Sequence, residues 1–198
     1  MALALRAINP AGSELPVYHF APEKGVGSVL QEMFGASYTP ADLSPENYDW
    51  SEVPVKRIDL SRSTEFLPTR GARGLVHSHV LEHVPGDLTS ILLAMNAAVE
   101  VGGFHAFVVP FFSEWYREDM DPNVTYEERD RLYGQFDHLR SFGTRDFLQR
   151  IHLAFSNFEK VDLTSIISFD DCQRSGIPVT ALTRLTSHSV HFYWKTHH

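Results

Sequence analysis

Apolar residues in this chain fall into short unbroken runs, and between the runs they recur at helical spacing. Val17-Tyr18-His19-Phe20 is the first run, compact enough for a buried strand. After the turn at residues 21–27, Val29, Leu30, Met33 and Phe34 share one helical face. Residues 37–42 read as a second strand with Asp42 at its end, and residues 55–60 as a third that closes on Asp59-Leu60. Residues 74–79 form a fourth. Asp87 then caps a helix whose stripe is Leu88, Ile91, Leu92, Met95 and Val99; Gly102-Gly103 is expected to stop it before a fifth strand at residues 104–110. Strand, helix, strand in this order predicts right-handed crossovers and a parallel sheet, which carries its ligand at the carboxyl edge of its strands.

The pattern changes at residues 113–143, where charged residues mix with Trp115, Tyr116, Tyr126, Tyr133, Phe136 and Phe142. This stretch reads as an insertion beside the site, with a short helix near residues 125–132. Phe147, Leu148, Ile151 and Phe155 return to helical spacing, with Thr144 as their cap, and residues 158–163 and 190–195 supply two last strands. The lead before the first strand is 16 residues, too short for a helical cap over an acceptor, so the insertion is expected to serve as the lid alone.

Composition narrows the function classes. The 198 residues, 43% hydrophobic and 12% aromatic, suffice for a full core and are expected to form one domain spanning residues 1–198. With 17 Lys and Arg against 25 Asp and Glu, the net charge of -8 lacks the basic stripe that a phosphate backbone requires, so no nucleic-acid partner is expected. The single Cys172 excludes an intrachain disulfide and any zinc site of several cysteines. The start, Met1-Ala2-Leu3-Ala4-Leu5-Arg6, has neither a signal-peptide pattern nor a spanning run, which predicts a cytoplasmic protein with no membrane partner. His197-His198 carry no weight, since a purification tag leaves the same stub.

Four motifs stand in order: His19-Phe20-Ala21-Pro22-Glu23, Ala41-Asp42-Leu43, Ile58-Asp59-Leu60, and His79-Val80-Leu81-Glu82-His83-Val84. After the fifth strand come Asp121-Pro122 and Gly134-Gln135-Phe136-Asp137-His138-Leu139-Arg140. Together these resemble class I S-adenosylmethionine-dependent methyltransferases, and most closely a bacterial subgroup with an Ala-Pro-Glu first turn and His-Val-Leu-Glu-His-Val after the fourth strand. The likeness covers residues 17–151. It implies a Rossmann-like three-layer α/β sandwich whose mostly parallel sheet ends in an antiparallel C-terminal strand pair.

The resemblance also implies S-adenosyl-L-methionine as cofactor. Ala21-Pro22-Glu23 would lie under its methionine half and Asp42, with Leu43 beside it, would accept the ribose hydroxyls, a task a carboxylate does in one fork. Asp42 also sits near the roughly 20-residue offset from the first turn at which nucleotide-binding sheets place such an acid. Asp59 and Leu60 would flank the adenine, Ser78 and His79 would face the sulfonium, and His83 would support that turn. Alignment of an acceptor with the methyl carbon supplies much of the rate, and a base is needed only where the acceptor carries a proton. His138, with Asp137 next to it, is the candidate base, and Arg140 the candidate clamp on an anionic acceptor.

The expected activity is therefore methyl transfer to a small-molecule or sugar-derived acceptor, with residues 113–143 as lid or acceptor site. Their aromatics suit an acceptor pocket, a cover over the sheet or a homodimer contact equally. Two other readings are carried. The first turn has no Gly-x-Gly-x-Gly, and Arg70-Gly71-Ala72-Arg73-Gly74 stands where relatives carry an aromatic-Asp pair, which suits a catalytically degenerate binding module. His77, His79 and His83 suit a metal-dependent hydrolase, since His77 and His79 share a strand face. The resemblance explains the same histidines without a metal, and no residue is assigned as a metal ligand.

Overall fold

The structure, a computed structural model, describes residues 1–197; His198 lies outside the described residues. The first element is a helix, α1 (Ala2–Ile8), which buries Ala4 and Leu5. The lead is thus long enough for a helix after all, and its apolar face docks on the molecule. Strand β1 (Val17–Phe20) follows, then α2 (Lys24–Phe34), with Val29, Leu30 and Phe34 buried as their spacing predicts and Met33 half-buried; the helix begins inside the stretch expected as a turn, so Val26 is buried on it as well.

Strand β2 (Tyr38–Asp42) runs parallel to β1. β3 is shorter than its hydrophobic run predicts, only Lys56–Arg57, because Ile58 turns inward and Asp59 already caps the 3-10 turn Leu60–Arg62. A one-turn helix, α3 (Ser63–Phe66), leads to β4 (Ala72–Ser78) and then α4 (Leu88–Ala98). Asp87 caps α4 as expected, its carboxylate accepting from the Ser90 backbone N–H at 2.7 Å. Burying Leu88, Ile91, Leu92 and Met95 contributes roughly 1.5–3 kcal/mol apiece.

Gly102-Gly103 does not end α4. The helix stops at Ala98, and β5 (Val99–Val108) begins at once and runs through both glycines. They sit at a bulge where the register with β4 shifts between Ala72 and Gly74. Gly102 takes φ +80, and a Cβ on Gly103 would stand 2.5 Å from the Arg73 carbonyl oxygen. The pair marks a close backbone approach rather than a helix stop.

Residues 111–143 carry a small three-stranded sheet of their own: β6 (Phe111–Ser113), β7 (Arg117–Glu118) and β8 (Arg140–Gly143), with β8 in the middle. Between β7 and β8 lies α5 (Tyr126–Tyr133), opened by a capping box in which Thr125 and Glu128 satisfy each other's backbone N–H. α6 (Phe147–Ile151) has Asp146 rather than Thr144 at its N-cap, and Asp146 makes no side-chain cap bond because its carboxylate accepts from the Tyr116 N–H. β9 (Phe158–Lys160) is followed by two short helices that the sequence pattern did not announce, α7 (Phe169–Arg174) and α8 (Thr180–Thr183), and the last strand is β10 (His191–Lys195).

The main sheet has seven strands in the order β3-β2-β1-β4-β5-β10-β9. β10 pairs antiparallel with both β5 and β9, and the strands before them pair parallel. One face packs Leu75, Phe107 and Tyr193 against α4 and α6; the other packs Val76, Phe104 and Phe192 against α1 and α2. This is the Rossmann-like three-layer sandwich with an antiparallel C-terminal strand pair. No helix among the described residues is long and apolar enough to cross a membrane.

Candidate functional site

Four parallel strands end at one edge, and each hands the chain to a turn that carries a residue singled out in the sequence. After β1, Ala21 takes φ 48, in the left-handed region, and donates its N–H to the Ala41 carbonyl at 3.0 Å. An alanine thus makes the sharp turn that a glycine makes elsewhere, and its lone methyl keeps the backbone open to a ligand. Pro22 follows, and Glu23 is the N-cap of α2. At the end of β2, Asp42 Oδ1 accepts from the Ser44 N–H and Oδ2 from the Tyr48 hydroxyl, both at 2.8 Å. Each oxygen keeps a further lone pair. Burial and the Asp42 carboxylate push the Tyr48 phenol above its usual range, so it stays a donor.

Asp59 Oδ1 accepts from the Ser61 N–H at 2.9 Å and the Ser61 hydroxyl at 2.6 Å. After β4, Ser78 is the last strand residue and His79 takes φ 53. Of the non-glycine residues with positive φ, Ala21 and His79 stand at this edge; Asn9 caps α1 and Arg70 turns the chain before β4. Such strain persists where surrounding structure over-determines it, and it gathers at ligand sites.

These turns enclose a cleft of about 440 Å³ lined by Ala21, Asp42, Leu43, Asp59, Leu60 and His79, together with His83 and Asp137. A second cavity, about 360 Å³, lies on the other side of His79. Glu23, Ser78 and His79, with Ser187 and His188, are its polar lining; Leu3 and Ala4 of α1 and Ile167, Ile177 and Leu182 of the C-terminal segment are apolar. His79 belongs to both walls. Cys172, a buried free thiol, also lines the second cavity.

Residues 137–140 are stapled to the turn after β4. The Arg140 side chain is fully buried and donates to the carbonyls of Leu81 at 2.8 Å and Gly86 at 2.6 Å. Leu139 N–H donates to the Glu82 carbonyl at 2.9 Å. Arg140 therefore fixes the turn, and its burial leaves no face for the anionic acceptor expected from the sequence. His138 is buried too, with Nδ1 at 2.9 Å from the Tyr133 carbonyl. A carbonyl only accepts, so Nδ1 carries the proton and Nε2 keeps its lone pair. Next to it stands His83, with ring centroids 4.8 Å apart, and His83 Nδ1 lies 3.4 Å from Asp137 Oδ2.

The cluster of His77, His79 and His83 does not form. β4 ends at Ser78 and the chain turns left-handed at His79, so alternation along one strand face no longer applies. His77 points into the core, its Nε2 2.9 Å from His105 Nε2. His105 Nδ1 lies 2.7 Å from Asn96 Oδ1, and Asn96 Nδ2 donates to the Ala154 carbonyl at 2.7 Å. Since the amide oxygen accepts, His105 Nδ1 carries the proton and His77 Nε2–H donates to His105 Nε2; both rings are neutral. Burial holds the His77 imidazole well below its usual value and brings His105 down to about 3. His79 differs: the neighbouring Glu82, 3.5 Å away, raises its imidazole above the usual value.

The edge thus gathers Ala21, Asp42, Leu43, Asp59, Leu60, His79 and Asp137 on one cleft, puts Glu23 and Ser78 on the neighbouring cavity, and sets His138 and Arg140 behind the cleft wall. Sequence reasoning missed Tyr48, which carried no signal six residues beyond Asp42. It also missed the whole C-terminal wall of the second cavity.

The strand order, with an antiparallel β10 inserted between β5 and β9, defines a Rossmann-like methyltransferase fold. No family model and no curated protein matches the chain by sequence. Its likeness is to solved structures. An S-adenosylmethionine-dependent methyltransferase from Mesorhizobium loti is 16% identical, with a TM-score of 0.58 over 96% of this chain and 94% of that one. A chain from the complex between the Haloferax volcanii Trm112 methyltransferase activator and a methyltransferase is 13% identical, with a TM-score of 0.59 over 99% and 90%. The 1,6-didemethyltoxoflavin-N1-methyltransferase of Burkholderia thailandensis, solved with bound 1,6-didemethyltoxoflavin and S-adenosylhomocysteine, is 14% identical, with a TM-score of 0.54 over 99% and 77%. At these identities the likeness is one of fold.

Proposed function

We propose that the chain is an S-adenosylmethionine-dependent methyltransferase whose cofactor occupies the cleft at the carboxyl edge of β1, β2 and β4. The observation that carries this reading is the convergence of Ala21, Asp42, Leu43, Asp59, Leu60 and His79 on that one cleft, in a fold shared with S-adenosylmethionine-dependent methyltransferases. Asp42, already oriented by Ser44 and Tyr48, offers its remaining lone pairs to the ribose hydroxyls. Leu43 and Leu60 flank the adenine, with Asp59 at its edge. The methionine half lies over Ala21-Pro22-Glu23, and the methyl group emerges beside Ser78 and His79.

The second cavity then holds the acceptor. A volume of about 360 Å³, a largely apolar C-terminal wall and polar groups at Glu23, Ser78, His79, Ser187 and His188 suit a small molecule, sugar-derived or otherwise, that presents its nucleophile at the His79 wall. Residues 113–143 hold the cleft wall through Arg140, and residues 1–198 act as one unit. The reading of the chain as a binding module rested on the missing glycines of the first turn and on the missing acid before the fourth strand; the structure bears on the first of these. Ala21 with φ 48 makes that turn without a glycine, which favours retained cofactor binding.

The test is calorimetric titration of S-adenosylmethionine and S-adenosylhomocysteine into cofactor-stripped protein. Micromolar binding of either, with a stoichiometry of one, is expected. A folded sample that binds neither overturns the reading.

A further inference from the structure

Glu82 is the most anomalous polar group in the molecule. Its side chain is fully buried, and among the described residues neither carboxylate oxygen finds a hydrogen-bond partner. The nearest charged group, His79 Nδ1, is 3.5 Å away, beyond good hydrogen-bond length, and on a half-exposed side chain. A buried carboxylate without partners is expensive, and such groups are paired or coordinate metals. Beside it stand two imidazoles. One ligand atom each from Glu82, His83 and His138 lie within 4.8 Å of one another.

Both imidazoles are prepared for a cation by what their other nitrogens do. His138 Nδ1–H is tied to the Tyr133 carbonyl, and His83 Nδ1 faces Asp137 at 3.4 Å. In His138 this leaves Nε2 as the free lone pair, the arrangement in which a carbonyl orients a metal-binding histidine; Asp137 stands where a small closure of the side chains onto an ion lets it orient His83 in the same way. The residues come from two distant segments, and Arg140 and the Leu139 N–H hold those segments together. Tetrahedral bonds of about 2.0–2.2 Å space ligand atoms about 3.4 Å apart, so a closure of roughly 1 Å at the side-chain tips completes the site.

We infer that Glu82, His83 and His138 form a binding site for one divalent first-row transition ion of the zinc class, oriented by Asp137 and the Tyr133 carbonyl. Two imidazoles and one carboxylate select such ions over magnesium or calcium, which prefer all-oxygen sites. Three protein ligands leave an open position. His83 and Asp137 line the cleft, so that position is reached from it by water or by an oxygen of a bound ligand. The inference does not rest on the methyltransferase reading, because the cation binds with or without a cofactor.

The test is titration of metal-free, full-length protein with zinc chloride by calorimetry and with cobalt chloride by visible absorption. One equivalent of each ion is expected, with cobalt d–d bands of a four-coordinate site. His83→Ala, a half-exposed position that a fold tolerates, and His138→Ala should each weaken binding at least tenfold, and Asp137→Asn by about tenfold as an orienting partner. Replacing His197 and His198 by alanine should change nothing. Absence of a stoichiometric ion, binding that survives His83→Ala, or binding lost with the two terminal histidines overturns the assignment.

Discussion

Two groups of histidines lie within one sheet's width of each other and have been given opposite properties. His77, His105 and His191 are inside the sandwich. His77 and His105 are closed into a directed chain ending on Asn96 and Ala154, and His191 is wedged against Phe107 and Phe147, with ring centroids 5.3 and 4.6 Å away. Burial drives all three down, His105 and His191 to about 3, so they are neutral packing groups with a polar edge. His79, His83 and His138 stand where the parallel strands have ended. There the backbone turns away and acids stand beside the rings, Glu82 by His79 and Asp137 by His83. The residue type does not set the chemistry; the position relative to the last strand residue does. His77 and His79 show this over two residues.

Lowering the pH should have the largest effect on the contrast. An unfolded imidazole takes its proton near 6.5, whereas His105 and His191 resist until about 3 and His77 is also held well below its usual value. Between those values the unfolded chain binds more protons, so this stability is complete above pH 6.5 and falls as pH drops toward 3. Each histidine adds a slope of about 1.4 kcal/mol per pH unit. Going from pH 7 to pH 5 should remove about 2 kcal/mol for each of His105 and His191, about 4 together, with His77 acting in the same direction, measured by urea unfolding at the two values. His191→Leu should flatten the slope by one proton. A slope unchanged by that variant would mean that His191 is solvated in the folded protein.

Next in size is the interior chain itself. His105→Ala leaves His77 Nε2 and Asn96 Oδ1 without partners and opens a cavity among Phe107 and Phe155, a loss of about 3–4 kcal/mol in urea unfolding. The rim should answer differently. Asp42→Ala should leave unfolding within about 1 kcal/mol of the parent, because its carboxylate is only partly buried, yet weaken S-adenosylmethionine by about 1–3 kcal/mol in the same calorimeter. An equal loss of stability at both positions would erase the distinction between core and rim.

How much of this could be read from the sequence follows the same line. The parallel strands, the α2 stripe, the α4 stripe as far as Met95 and the Asp87 cap were legible because local periodicity and capping chemistry decide them, whereas Val99, at helical spacing, opens β5 instead. The placement of Asp42, Asp59 and Leu60 at one edge followed from parallel pairing. Gly102-Gly103 misled because a glycine pair signals a close backbone approach as well as a helix end, and only the β4 register distinguishes them. β3 shrank because its apolar residues serve the core of a turn rather than a ladder. The meeting of Glu82 and His83 with His138 was beyond local reading. Some 55 residues separate them, and the Arg140 bonds that join them go to backbone carbonyls, which carry no residue-type signal.

The smallest expected effect concerns the one rim residue with no polar chemistry. Ala21 holds φ 48, a conformation that costs an L-residue roughly 1–2 kcal/mol, while its N–H bond to Ala41 keeps it there. Glycine relieves that strain but brings about 0.5–1 kcal/mol of extra chain entropy to the unfolded state. Ala21→Gly should therefore stabilise the protein by about 0.5 kcal/mol, read as a small rise in the urea midpoint, with cofactor affinity unchanged. Ala21→Val is the opposing control: a branched side chain is a poor occupant of positive φ and fills the floor of the cleft, so both stability and affinity should fall. If glycine destabilised instead, the turn after β1 would not be left-handed, and strain would no longer separate the rim from the relaxed interior.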